Sequence, residues 1–276
     1  MNKASITVEI KEHFLGFCPI TNTTDDGLTN FLLDYLDKQN IDIQDMRGQG
    51  YDNGANMRGK HNGLQKKILD INSRAFYIPC SSHTLNLIVN DAANSSLEIC
   101  SFVDLIHEIY VFFSASPHRW HVFKNECPTL TLKPLSDTRW ESRVEAVKVF
   151  KYNLPLVYDA LYELYSDSTT NASTRNTAKS LLTKIKSFKF VCSPLIWYNI
   201  LTKINIVSKL MQEEHAIIST IITMLSDLES YLMECRTDKI FATILKEAEL
   251  IAKEMDCDCK SPDANTIRPR KKKKII

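Results

Sequence analysis

Asp52, Cys80 and His83 are the residues of this chain whose types and settings could do chemistry. Asp52 lies in Gly48-Gln-Gly-Tyr-Asp-Asn-Gly-Ala-Asn-Met-Arg-Gly59, which places four glycines around one acid. Glycine tolerates positive φ and lets other groups approach the backbone. A carboxylate in such a turn can serve as an oxygen ligand for a hard cation, or it can simply close an Asx turn. Cys80-Ser-Ser-His83 sets a thiol and an imidazole just after the apolar run Ala75-Phe-Tyr-Ile-Pro79. A structural zinc needs four ligands with a second pair at defined spacing. His118, His121 and Cys127 offer that second half only nominally. Further on, Asp137-Thr-Arg139-Trp140 joins a guanidinium, which can pair with phosphate, to an indole, which can stack on an unpaired base. The same indole could equally anchor a helix capped by Asp137. No P-loop, Gly-x-Ser-x-Gly or His-Glu-x-x-His motif is present.

The elements that position these residues follow from pattern. All seven glycines lie at or before Gly63. This predicts a turn-rich α/β part followed by a nearly all-helical part. Ser5 to Phe17, rich in β-branched and aromatic residues, predicts a strand. Thr24 can cap a helix running to Lys38, with Leu28, Phe31, Leu32 and Leu36 on one face. A short strand is expected between Ile41 and Gly50, a helix over Asn56 to Leu69, a brief buried strand at Phe76 to Ile78, and a helix from Ser82. Leu85, Leu87 and Ile88 form the apolar side of that last helix. From Trp140 every apolar pattern has a helical period, through Val207 to Leu232 and Ile240 to Met255. The polar break Ser166 to Arg175 suggests a bundle.

Composition bounds the partners. The chain has 276 residues, 44% hydrophobic and 24% charged, as in globular proteins. No run approaches the roughly 18 apolar residues of a membrane helix, and the start lacks an apolar signal core. Eight scattered cysteines read as reduced thiols. The net charge of +1 is uneven. The tail holds Arg268, Arg270, Lys271, Lys272, Lys273 and Lys274, and without them 28 basic residues face 33 acidic ones. The body is thus no generic polyanion binder. The basic tail fits a nuclear import signal or a phosphate contact, or a solvated terminus.

Three of these segments, in order, resemble the signature of hAT-type transposases: Arg47 to Met57, Cys80-x-x-His83-x-Leu-Asn-Leu, and Asp137-Thr-Arg-Trp140. The resemblance is strongest to the transposon-derived proteins of zinc finger MYM-type 1 kind, and it covers residues 6 to about 150. It implies a partial RNase H-like α/β layer over 1–140, a helical insertion-type domain over 141–258, and a disordered basic tail over 259–276. It implies that Asp52 is one of three catalytic acids holding Mg²⁺, with His83 beside it near phosphates. Arg139 and Trp140 would contact DNA. The family's first acid lies on a strand ahead of residue 6, and its third on a helix after the insertion. Neither has a counterpart here. Glu141 and Glu145 do not match the third position. The chain reads as truncated at both ends, without the family's dimerisation region, and as binding no cofactor. One acid of three cannot hold two metals. The expectation is a nuclear, nucleic-acid-associated remnant without transposase activity and with no membrane partner. The alternatives are a nuclear protein-interaction scaffold built on the helices and a metal-dependent DNA transposase or nuclease.

Overall fold

Thr24 ends an irregular segment and starts the first helix. Its side chain accepts the Gly27 N–H at 3.1 Å, and two acids, Asp25 and Asp26, occupy the first turn where the helix dipole favours them. This helix, α1 (Asp25–Lys38), buries Leu28 and Leu36 as the sequence predicts. The computed structural model describes residue 9 and residues 11–135, 140–213 and 216–258, and only the backbone of Trp140 and Glu141. Two compact units divide at His83/Thr84. This division is one of packing, whereas the boundary expected at 140 rests on the sequence resemblance.

The first unit is mixed α/β. After α1 come a short 3₁₀ turn at Ile43–Asp45, β1 (Gly48–Tyr51), α2 (Ala55–Arg58), α3 (Leu64–Ile71) and β2 (Phe76–Pro79). β1 and β2 run parallel, with Gly48 beside Phe76 and Tyr51 beside Pro79. Leu64, Ile68 and Ala75 form a small core with Leu32, Ile43, Met46 and Met57 around it. Polar side chains tie the layers together. The Gln49 amide donates to Gln65 O and Ala75 O, each at 3.0 Å, and the Asn72 amide donates to Ile43 O at 2.8 Å and Met46 O at 2.9 Å.

Three expectations need correction in this unit. No strand forms among the described residues of 5–17: Phe14 and Phe17 are exposed, and Gly16 has φ +127°, which breaks an extended run. Residues 5–8 and 10 lie outside the described residues. The helix expected over 56–69 is two helices. Gly59 and Gly63 meet backbone to backbone between them, so that a Cβ on Gly63 would stand 2.3 Å from Gly59 N. The strand at Phe76 is not buried, since Phe76 and Ile78 are 70% and 66% exposed. Both share a sheet face with Gly48 and Gly50, and no helix among the described residues covers it. The register also turns the N–H and C=O groups of Gly48 and Gly50 toward the outer edge, because the neighbouring odd residues bond to β2.

The second unit is helical. It comprises most of α4 (Ser81–Asn94), then α5 (Leu97–Ser114), α6 (Pro117–Glu126), α7 (Trp140–Ser166), α8 (Ala172–Ile185), α9 (Phe188–Leu210), α10 (Ile218–Glu234) and α11 (Asp238–Glu254). The long α7 packs on α6, α8, α9 and α11. Its sequence bends it: Pro155 lacks an N–H and crowds the carbonyl one turn back, and Asn153 takes φ −132°, ψ 25°. The Asn153 amide then donates to Cys127 Sγ at 2.9 Å in the core. Phe113, Phe123, Phe150, Leu161, Ile185 and Leu195 are fully buried there. Leu85 joins a cluster with Ile204, Val207 and Leu228, while Leu87 and Ile88 on α4 stay exposed. α9 is long and apolar enough to cross a membrane by composition, yet Val191, Leu195, Leu201 and Ile204 bury it in this bundle.

Candidate functional site

Parallel strands release their C-terminal ends on the same side, and that places the first two predicted residues together. Asp52 follows Tyr51 and Cys80 follows Pro79, in neighbouring strands held in register. The Cys80 N–H donates to Tyr51 O at 3.0 Å, extending the ladder by one rung. The two α-carbons are therefore about one strand spacing apart, ~5 Å. His83 lies in the first turn of α4, three residues beyond Cys80. It is half-buried, and Cys80 is exposed.

The Asp52 carboxylate is exposed and already has a local task. Its Oδ1 accepts the Gly54 N–H at 3.0 Å, an Asx turn of the kind the glycine-rich stretch allows. The side chain next to this end that sequence reading missed is Tyr77. It alternates with Phe76 and Ile78 and so points to the opposite face, where its ring stacks on Tyr51 at 6.3 Å. Its hydroxyl is buried and has no hydrogen-bond partner among the described residues. Burial raises its pKa; the Arg58 charge acts against this, and Asp52 and Cys80 add to the rise. Arg58, Asp52 and Cys80 thus bear on one hydroxyl at the C-terminal ends of the strands. Burial, then the neighbouring Tyr77, also raises Tyr51. Period-two alternation was the available signal for Tyr77.

A two-metal centre needs several carboxylates converging. Among the described residues, no group of three or more His, Cys, Asp and Glu side chains could hold a metal ion. The described donors around Asp52 therefore do not fit Mg²⁺ in that role. The same holds for zinc at Cys80 and His83. Cys127 instead accepts from Asn153, and His121 pairs with Asn125 at 3.3 Å.

Arg139 and the six basic residues of the tail, Arg268 to Lys274, lie outside the described residues. Trp140 opens α7 by its backbone. One turn later Arg143 is buried and donates to Asn90 Oδ1 at 3.1 Å. A groove of about 460 Å³ in the helical unit, lined by α5, α6 and α8, contains none of the predicted site residues.

Residues 3–63 match a family described as "ZMYM1/FAM200, RNase-like domain". The chain is also similar to a human (Homo sapiens) protein, the 52 kDa repressor of the inhibitor of the protein kinase. The two are 23% identical across 70% of this chain and 27% of that protein. The chain therefore spans about a quarter of the length of this relative. No solved structure matches the chain. The family match and this similarity support a transposase-derived protein.

Proposed function

We propose that this transposase-derived chain is a nuclear, nucleic-acid-associated protein that does not itself cleave or join DNA. One observation carries the reading. Asp52, inside the residues matching an RNase-like domain, has among the described residues no set of carboxylate partners of the kind two-metal phosphoryl transfer requires. In an intact RNase H-like centre, paired Mg²⁺ ions would activate the attacking oxygen and steady the leaving one. Here the Asp52 carboxylate closes its own turn through Gly54, and His83 and Cys80 border the same strand ends. Contact with nucleic acid falls to basic and aromatic groups: Arg139 and Trp140 of the Asp137-Thr-Arg-Trp motif, and the Arg268–Lys274 run, which also serves nuclear import. Electrostatic contacts of this kind weaken as salt rises.

A second reading has its own support. Ile218 and Ile222 on α10 and Phe241 and Leu250 on α11 are exposed, as on a protein-interaction scaffold. The human relative is by name a repressor of an inhibitor of a kinase. The two readings separate in one experiment. The purified chain and its Asp52→Ala variant are incubated with labelled duplex and hairpin DNA in Mn²⁺, over a range of salt. Salt-sensitive binding without cleavage by either protein is the expected result. Cleavage by the parent and none by the variant overturns it. Absence of any DNA binding leaves the scaffold reading.

A further inference from the structure

From Ser168 to Gln212 the chain contains no acidic residue and seven basic ones: Arg175, Lys179, Lys184, Lys186, Lys189, Lys203 and Lys209. This segment supplies α8 and α9. At 3.6 residues per turn, Arg175, Lys179 and Lys186 fall within about 40° on one side of α8, with Lys184 opposite them. Lys184 is taken by Glu108 at 2.5 Å; among the described residues the other three form no ion pair with a carboxylate.

The neighbouring helix presents aromatic rings along the same line. Tyr158 and Tyr162 stack at 6.2 Å and 16°, and Tyr162 meets Tyr165 at 6.2 Å and 59°. The cations of α8 reach over this row. Lys186 Nζ is 5.0 Å from the Tyr158 ring centre and Lys179 Nζ is 6.0 Å from that of Tyr165. The middle ring, Tyr162, is 50% exposed. Acids keep to the margins. Asp159 and Glu163 follow Tyr158 and Tyr162 by one residue, about 100° around α7. Asp167, at the end of the row, is held by Thr169 and Thr170. Lys186 also donates to the Asp256 carbonyl at 3.2 Å.

We propose that the Tyr158–Tyr162–Tyr165 row and the Arg175, Lys179 and Lys186 cations form a docking platform for single-stranded nucleic acid. The chemistry on each side matches. Rings accept unpaired bases without regard to sequence, and cations alongside them neutralise the phosphates of the same strand. A duplex hides its base faces and would use the cations alone. The row rises about 10 Å along α7, the length of roughly three stacked nucleotides at ~3.4 Å each. The proposal rests on the nucleic-acid reading above, and it names the surface and the strandedness.

The test uses the full chain and fluorescein-labelled oligo(dT) of sixteen nucleotides, read by anisotropy across a salt series. Tyr162→Ala is expected to weaken binding by about fivefold to a hundredfold, as loss of one base stack does. Tyr162→Phe retains the ring and should bind like the parent. Lys179→Gln should lower the slope of log affinity against log salt by about 0.7, one phosphate contact on a single strand. Parent-like binding by Tyr162→Ala overturns the platform while leaving the nucleic-acid reading intact. No binding by the parent overturns both. Tighter, Tyr162-dependent binding of a polyglutamate peptide assigns the surface to an acidic protein and also overturns the proposal.

Discussion

One methyl group added at Gly63 tests the packing that ends α2 and begins α3. Gly63 has φ −63° and ψ 158°, angles that alanine adopts without strain. The backbone alone would therefore make Gly63→Ala stabilising by about 0.4–1 kcal/mol, through a less disordered unfolded chain. The surroundings reverse the sign. The new Cβ would lie 2.3 Å from Gly59 N and 2.8 Å from its Cα and O. These are backbone atoms, so no rotamer change relieves the clash and the turn must open. Overpacking of this kind costs about 1–3 kcal/mol, and the rigid neighbour argues for the upper end. The net loss is then about 2 kcal/mol, or about thirtyfold in the opening equilibrium. Opening also carries away the Gly59 carbonyl, which accepts from Gln65 at 3.2 Å, and so loosens the Gln65 carbonyl that receives Gln49. Tryptophan fluorescence cannot follow this, because Trp120, Trp140 and Trp197 all lie beyond His83. Amide hydrogen exchange over peptides spanning 44–80 can. Gly48→Ala is the control, its nearest atom being Phe76 O at 3.9 Å, and it should exchange like the parent. Equal protection in the two variants would refute the reasoning.

The helical unit offers two further predictions. Phe113→Ala removes a fully buried ring packed on Phe112 and Phe123 at 5.3 and 5.2 Å, and should cost about 3–5 kcal/mol. Urea midpoints read by tryptophan fluorescence suit it, since Trp120 and Trp197 pack on this core, and a loss below about 1 kcal/mol contradicts it. Burial pushes the Cys192 thiol from 9.0 up to about 11. The folded chain then holds its proton where the unfolded chain releases it, so this contribution is intact below pH 9 and is lost as pH rises from 9 to 11. Cys192→Ala should flatten that part of the pH–stability curve; an unchanged curve counts against the assignment.

What the sequence disclosed was local, and what it hid depended on neighbours. Thr24 as a cap, the break after Ser166 and strand ends near Gly50 and Ile78, each one residue short of the observed ends, follow from turn and capping chemistry within a few residues. The division of the helix at Gly59 does not, because Met57, Leu64 and Ile68 keep one helical phase across the polar stretch 58–63, and the backbone approach of Gly59 and Gly63 interrupts it. The strand expected at 5–17 rested on β-branched residues, whose preference is realised only against a neighbouring strand. α5 and α6 lie in a stretch expected to be α/β, since long apolar runs such as Val111-Phe-Phe113 carry no clear period. At the site, Asp52 and Cys80 were legible from their motifs. Tyr77 was hidden because its role depends on which sheet face is covered, and the tyrosine row because it needs α8 beside α7.

The bare sheet face bears on the life of this chain in a cell. A parallel sheet ordinarily has both faces covered, and two strands of four residues are marginal by themselves. Here Phe76 and Ile78 stand in water, and Gly48 and Gly50 guard the outer edge with no side chain at all. Natural edges are protected by charges, prolines or bulges, and one without them is a template for another strand. Such an edge can accept a further strand by backbone pairing. A strand that paired there would stabilise the sheet, and a kilocalorie or two of added stability is enough to change a protein's abundance several-fold.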